Sequence, residues 1–191
     1  MRLFFATFLS RETMRAYQTL VDQLIEDVPG TLRTIPRHSH HFTLVFLGEI
    51  ADADIDKCAS ALQAVERVEP FPISLNQPRI LKGRGRPRLI CADINNGREK
   101  VSVVEATLIA HLSKSLPALD LRPKPPHVTL ARFERNARAQ QARMVDEATA
   151  RRYDDSLPWT DRFASVQLVM SKLAPSGPIY KTVAEAHLGV S

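Results

Sequence analysis

The chain predicts an α+β fold with two similar lobes facing each other across a groove, and three observations carry the prediction. Strand-like and helix-like segments are mixed without the strict alternation of a parallel sheet. Each half of the chain has an extended or proline-containing approach, then His-x-Thr-Leu on an apolar strand, then a helix. The two strands are "HHFTLVFLGEI", His40 to Ile50, and "PPHVTLARF", Pro125 to Phe133. No linker-like stretch separates the halves, so residues 1–191 read as one two-lobed domain. A chain of 191 residues can bury one substantial core, or two small lobes that share one.

The elements follow in order. Met1–Phe8 is an apolar strand. Ser10 caps a helix from Arg11 to about Asp27, with Leu20, Leu24 and Val28 at helical spacing and Pro29-Gly30 stopping it. "TLRTIPRHSH" is an extended lead into a strand over Phe42–Leu47. Asp52 or Asp54 caps a second helix through Cys58, Leu62 and Val65, ending before Pro70. "FPISLNQPRILKGRGRPRLICADI" reads as two strands around a Gly/Arg-rich turn. A third helix, about Glu99 to Ser115, shows Val103, Ala106, Ile109 and Ala110 on one side. "LDLRPKPP" leads into the second motif strand, and a fourth helix runs from about Ala137 to Arg151. Strands over about Phe163–Leu173 and Ile179–His187 flank "APSGP", a turn.

Composition excludes several classes. Apolar content of 44% and charged content of 25% are ordinary for a globular protein. No apolar run approaches a membrane span, and the N-terminal run lacks a small-residue cleavage site, so it is read as a strand and not a signal peptide. Cys58 and Cys91 are read as core hydrophobes of a reducing compartment, which places the protein in the cytoplasm. The 26 Lys and Arg against 21 Asp and Glu permit an anionic partner without requiring one.

Side chains alternate across a strand. His41, Thr43 and Val45 therefore share one face, and Phe42, Leu44 and Phe46 the other, which their character marks as the core face. His127 and Thr129 repeat this parity against Val128 and Leu130. Each strand thus exposes one imidazole and one hydroxyl from an apolar segment. Opening a cyclic phosphodiester needs one group to take a proton from water and another to give a proton to the departing oxygen. Imidazole serves both roles near neutrality. Threonine hydroxyls can donate to the non-bridging oxygens, where charge builds. This chemistry needs no metal and no cofactor.

The sequence resembles the two-histidine phosphoesterases, and within them the RNA 2′,3′-cyclic phosphodiesterases, also called 2′-5′ RNA ligase-like proteins. The resemblance is carried by "MRLFFATFLS", "HFTLVFLGEI", "RPRLICADI", "PPHVTLARF" and "LVMSKLAPSGPIYKTVAEAHL", nearly end to end. It implies a bilobal fold, a central cleft lined by both motifs, and hydrolysis of 2′,3′-cyclic phosphates at RNA ends or on nucleosides to 2′-phosphomonoesters. By position, His41 is the implied proton donor and His127 the implied acceptor. Thr43 and Thr129 hold the phosphate, with Arg132 near it, although strand parity puts Arg132 on the Val128 side. An aromatic of the first strand, Phe5 or Phe8, would contact the base. Thr34 stands where many relatives have an aromatic, and His40 where they have an apolar residue. The alternatives are a 2′-5′ RNA ligase running in the reverse direction and a non-catalytic RNA-end-binding module. No ATP-binding loop supports driven ligation. Nothing in the sequence demands more than a monomer.

Other residues carry weaker signals. "HSHH" lacks a carboxylate or thiolate partner, so His38 and His40 are read as framing the cleft mouth rather than holding a metal. His111 and His187 are read as structural. "KGRGRPR", Lys82 to Arg88, fits an RNA-contacting hairpin and a solvated turn equally. Arg151-Arg152 offsets the dipole at a helix end. Ser171 and Tyr180 match family positions and fit either cleft or core.

Overall fold

The computed structural model describes residues 1–123, 125–153, 159–174 and 177–190. The first strand, β1 (Arg2–Phe8), is followed by α1 (Arg11–Asp27), β2 (Leu32–Thr34) and β3 (His41–Glu49). Next come α2 (Ile55–Ser60), β4 (Phe71–Ser74), β5 (Arg79–Gly83), β6 (Arg86–Asp93) and α3 (Arg98–Ser115). The chain then forms β7 (His127–Phe133), α4 (Ala139–Arg152), β8 (Thr160–Phe163), β9 (Ser165–Ala174) and β10 (Gly177–His187).

Among the described residues, eight strands form one sheet in the order β10-β9-β1-β3-β7-β6-β5, with β2 also paired to β7. Strands β4 and β8 form a separate two-stranded sheet, and every pairing is antiparallel. The α+β class with antiparallel sheet and flanking helices is therefore as the sequence predicts. The motif strands β3 and β7 are neighbours, joined by the pair Phe42↔Val128.

The Ser10 hydroxyl accepts from the Thr13 N–H and starts α1, as expected. Helix α1 buries Tyr17, Leu20, Val21 and Leu24 and ends as the Val28 N–H donates to the Leu24 carbonyl. It packs on α4, β2 and β7, whereas α3 packs on β3 and the 3-10 turn Ala61–Val65. At the far end of α4 the Arg152 guanidinium grips both oxygens of Asp27, at 2.9 and 3.1 Å, and ties that helix end to α1. The helices' apolar stripes join Leu3, Phe5, Phe42 and Val128 in one core on one face of the sheet. Phe4, Ala6 and Val169 form a small second cluster on the other face, with Phe8 and Tyr180 against it.

Several expectations are corrected. Neither Asp52 nor Asp54 accepts a capping hydrogen bond, and Asp54 instead meets Lys57 at 2.7 Å. The predicted second helix is a short α2 flanked by 3-10 turns, whose tighter winding turns Ala61, Leu62 and Val65 into the core. The region 71–94 forms three strands, not two. Asn76-Gln77-Pro78 breaks the run, and Phe71–Ser74 pairs with Thr160–Phe163 instead. Helix α3 buries Val101, Val104, Leu108 and Leu112, a different stripe from the side on which the sequence groups Val103, which is 59% exposed. Apolar residues surround this helix, so its sequence offers more than one stripe and packing selects between them. Gly97 starts α3 with φ +83°, and a Cβ there would stand 2.8 Å from the Pro72 carbonyl oxygen. The "APSGP" turn includes Pro175 and Ser176, which lie outside the described residues.

Candidate active site

The pair Phe42↔Val128 fixes the geometry of the motifs. Antiparallel register around it sets His41 beside Thr129 and Thr43 beside His127, with the two imidazoles on a diagonal. His41, Thr43, His127 and Thr129 line one cavity of about 220 Å³, and Arg122 and Phe46 reach the same space. A second cavity of about 230 Å³ shares His41, Thr43 and Thr129 and is bounded by Arg33, Arg132 and Tyr180.

Each motif strand carries a one-residue bulge at the leucine after its threonine. In β3, Phe5 faces Val45 while Ala6 faces Thr43, which leaves Leu44 as the extra residue. In β7, Ile90 faces Ala131 while Cys91 faces Thr129, which leaves Leu130 extra. A bulge reverses the alternation beyond it. Both strands accordingly show the same burial sequence over their first five residues, two half-buried polar positions followed by two consecutive buried apolar ones. Three predicted placements change as a result. Val45 turns into the core, and Phe46, expected there, is 36% exposed on the cleft side. Arg132, expected on the Val128 side, lines the cleft. Phe46 and Arg132 occupy equivalent positions, each five residues beyond its histidine.

The two imidazoles are held in the same way. His41 Nδ1 lies 2.7 Å from the Ser39 carbonyl oxygen, and His127 Nδ1 lies 3.2 Å from that of Pro125. A carbonyl only accepts, so in each neutral ring Nδ1 carries the hydrogen and Nε2 is the free basic nitrogen. The two environments differ. His41 is walled by Phe4, Phe8 and Tyr180, with ring centroids 5.2, 5.3 and 5.1 Å away. Burial pushes its pKa down to about 4, with further lowering from the charges of His40, His127 and Arg132 and an opposing contribution from the Ser39 carbonyl. In the free site at neutral pH His41 is a neutral base. Arg132 is also lowered from its ordinary value, by burial first; Tyr180 opposes this and Arg88 and Arg33 add to it. Burial raises the Tyr180 phenol, against Arg132 and Arg2.

The remaining candidates separate cleanly. Phe5, named as a base contact, is fully buried in the main core on the helix side, because it pairs with core-facing Val45. It is too deep to touch a ligand. Phe8 pairs with His41 and stands against its ring. His40 does not frame the cleft mouth. It shares the core parity of Phe42, is fully buried, and its ring nitrogens have no hydrogen-bond partner among the described residues. Burial lowers its pKa, with the Leu130 backbone opposing. His38 is exposed, so the three imidazoles of "HSHH" point to solvent, core and cleft and do not converge. His111 meets Ser60 Oγ at 3.3 Å on the helix side. Thr34 lines the second cavity at the position where an aromatic was noted as missing.

Ser171 and Tyr180 fall on the cleft, as do Arg2 and Arg88, in a wider space of about 430 Å³ continuous with His41, Thr43 and Arg132. The Arg2 guanidinium lies 5.0 Å from the Phe46 ring centroid. The tip of the Lys82–Arg88 segment is a two-residue hairpin turn at Arg84-Gly85, with φ 51° and 77°. The tip stays outside the cleft and only Arg88 enters it. Sequence reading missed Phe46, Arg2, Arg33 and Arg122. The cross-strand partners of β1, β2 and β7 bring the first three in, and no local pattern announces them.

Comparison with known proteins identifies the family. The sequence model of the 2′-5′ RNA ligase superfamily matches residues 17–170. A Thermus thermophilus protein described as RNA 2′,3′-cyclic phosphodiesterase is 31% identical over 195 residues, covering 98% of this chain and 90% of that one. The Aquifex aeolicus protein of the same description is 28% identical over 152 residues, 78% of each chain. A crystal structure of a Thermus thermophilus protein superposes with a TM-score of 0.76 at 27% identity, covering 98% of both chains. Escherichia coli LigT complexed with phosphate shares the fold, with a TM-score of 0.67 at 19% identity over 98% of this chain and 96% of that one. The match over most of the chain, joined to two bulged His-x-Thr strands meeting at one cavity, makes this chain a member of the 2′-5′ RNA ligase superfamily of two-histidine phosphoesterases.

Proposed function

We propose that this chain hydrolyses 2′,3′-cyclic phosphates at RNA ends or on nucleosides to 2′-phosphomonoesters, with His41 and His127 as acid and base and no metal ion. The observation that carries the reading is the diagonal of two imidazoles with one hydroxyl beside each, around one shared cavity. In-line displacement at phosphorus needs a proton acceptor on the side of the attacking water and a donor on the side of the leaving oxygen. A diagonal pair supplies both.

In this mechanism His127 Nε2 takes a proton from water as the water oxygen bonds to phosphorus. The bond from phosphorus to O3′ breaks, and His41 delivers a proton to O3′, which leaves the phosphate on O2′. Thr43 and Thr129 donate to the non-bridging oxygens, and Arg132 balances their charge. His41 is neutral in the free site, so it must gain its proton as the anionic substrate enters. The Phe46 ring, exposed in the cleft beside Arg2, replaces Phe5 as the base platform, while Phe8 braces His41.

The repeated burial pattern and repeated bulge support a reading of the domain, residues 1–191, as two pseudo-symmetric lobes meeting at the β3–β7 seam. Two buried free cysteines fit a reducing cytoplasm. Among the described residues no helix is long and apolar enough to cross a membrane. The protein is taken to act as a monomer, since both motifs come from one chain. The test is turnover of a nucleoside 2′,3′-cyclic phosphate with the product identified. Formation of the 3′-phosphomonoester, or no product, overturns the proposal.

A further inference from the structure

Resting on that functional reading, we propose that Arg33 and Arg88 form a second phosphate subsite beside the catalytic quartet, and that the substrate is a nucleotide-chain end whose 5′ phosphate binds there. Arg33 on β2 stands directly across from Arg132 on β7. Arg132 in turn stands across from Leu89, the neighbour of Arg88 on β6. All three arginines line the wide cleft, and the charges of Arg88 and Arg33 both act on Arg132; like charges directly opposed on neighbouring strands, as Arg33 and Arg132 are, repel. Among the described residues Arg79, Arg122 and Arg152 meet carboxylates, of Asp93, Asp120 and Asp27, whereas Arg33, Arg88 and Arg132 meet none. The wide cleft that Arg2, Arg33, Arg88 and Arg132 line has no Asp or Glu among its described lining residues. A cluster that repels itself and lacks a protein counter-ion is built for an external anion.

One phosphate does not satisfy this cluster. Thr129 and Arg132 are three strand residues apart, about 10 Å of extended chain. The scissile phosphate belongs between the histidines. Arg132 is half-buried and lines the second cavity with His41, Thr43 and Thr129, whereas Arg33 and Arg88 are exposed, and neither lines the cavity that holds both histidines. A nucleoside 2′,3′-cyclic phosphate with a 5′ hydroxyl has no group to offer them. The end of an oligonucleotide does, in the phosphodiester on its 5′ side. Exposed guanidiniums suit that group, since they grip two oxygens at once.

The experiment compares three substrates: a nucleoside 2′,3′-cyclic phosphate with a 5′ hydroxyl, the same nucleoside with a 5′ phosphate, and a dinucleotide ending in the cyclic phosphate. The wild-type protein is expected to prefer both of the latter over the first by about tenfold or more in kcat/KM, mostly through KM. In the double variant Arg33→Gln, Arg88→Gln that ratio falls toward one. The salt slope of binding to the dinucleotide drops by about 0.7 for each arginine lost. Being a ratio, the readout is insensitive to general loss of activity. Equal kcat/KM for all three substrates with the wild-type protein, or an undiminished ratio in the double variant, overturns the subsite. No turnover of any of the three overturns the hydrolase reading, and this inference with it.

Discussion

Saturating the cleft with a tetrahedral anion should return the His41 imidazole to its ordinary titration range. In the free site its pKa is about 4, because Phe4, Phe8 and Tyr180 exclude water and His40, His127 and Arg132 add positive charge. A unit negative charge about 4 Å away contributes about 4 kcal/mol at the effective dielectric of a partly buried site. One pKa unit is about 1.4 kcal/mol, so this interaction is large enough to cancel the burial penalty. Sulfate is a suitable probe, since it does not titrate near neutrality. The assay follows the His41 Cε1–H resonance by NMR across pH, with and without saturating sulfate, using His41→Ala to assign it. Linkage supplies an independent reading: sulfate affinity must rise as pH falls toward the free-site pKa. A His41 titration that sulfate leaves within about half a pH unit of its free position would refute the reasoning, and with it the claim that this histidine is protonated by its own substrate.

Other outcomes follow from the same geometry. His41→Ala and His127→Ala should each lower turnover of a 2′,3′-cyclic nucleotide by about 10²–10⁴-fold with the fold retained by circular dichroism; wild-type turnover in either refutes its role. The pH profiles of kcat and kcat/KM should both be bell-shaped, with the optimum of kcat/KM displaced to lower pH, because only kcat/KM reports the free site in which His41 is hard to protonate. Activity should survive exhaustive EDTA treatment, and loss restored by zinc would count against the two-histidine mechanism. Burial raises the Glu105 carboxyl on α3 to about 7, against Arg98, and one of its oxygens has no hydrogen-bond partner among the described residues. The folded state then binds more protons than the unfolded one between about pH 4.5 and 7, so stability falls as pH rises through that window. Glu105→Gln should therefore stabilise the protein at pH 8 by up to about 3 kcal/mol and change little at pH 4, measured by urea unfolding; equal effects at both pH values would sink the argument. Arg84 holds φ 51° in the hairpin turn, so Arg84→Gly should raise the unfolding midpoint, by about 1 kcal/mol of strain relieved.

Helix α1 was readable because its signals are local: Ser10 at the cap, a 3.6-residue apolar period, and Pro29-Gly30 at the end. Helix α3 has the period but apolar residues on several sides, and only contact with β3 and Ala61–Val65 decides which stripe is inside. The segment from Phe71 to Ile94 reads as two strands around a turn, yet its first four residues form a separate strand that pairs with β8, far along the chain. No composition records such a partner.

For the site, the residues alone determine that two histidines and two threonines stand together on strand faces, since alternation is a property of any extended backbone. They also determine the family, because those four residues lie in long matching contexts. Tertiary structure decides what alternation cannot. A bulge adds one residue to a strand without a reliable mark in the sequence, and everything beyond it changes face. That is why Arg132 and Phe46 reach the cleft, and why Val45 does not. Burial decides the rest. His40 and His41 are adjacent and chemically identical, yet one points into the core and the other into the cleft. Only packing around each ring sets which can bind an anion and at what pH it carries a proton.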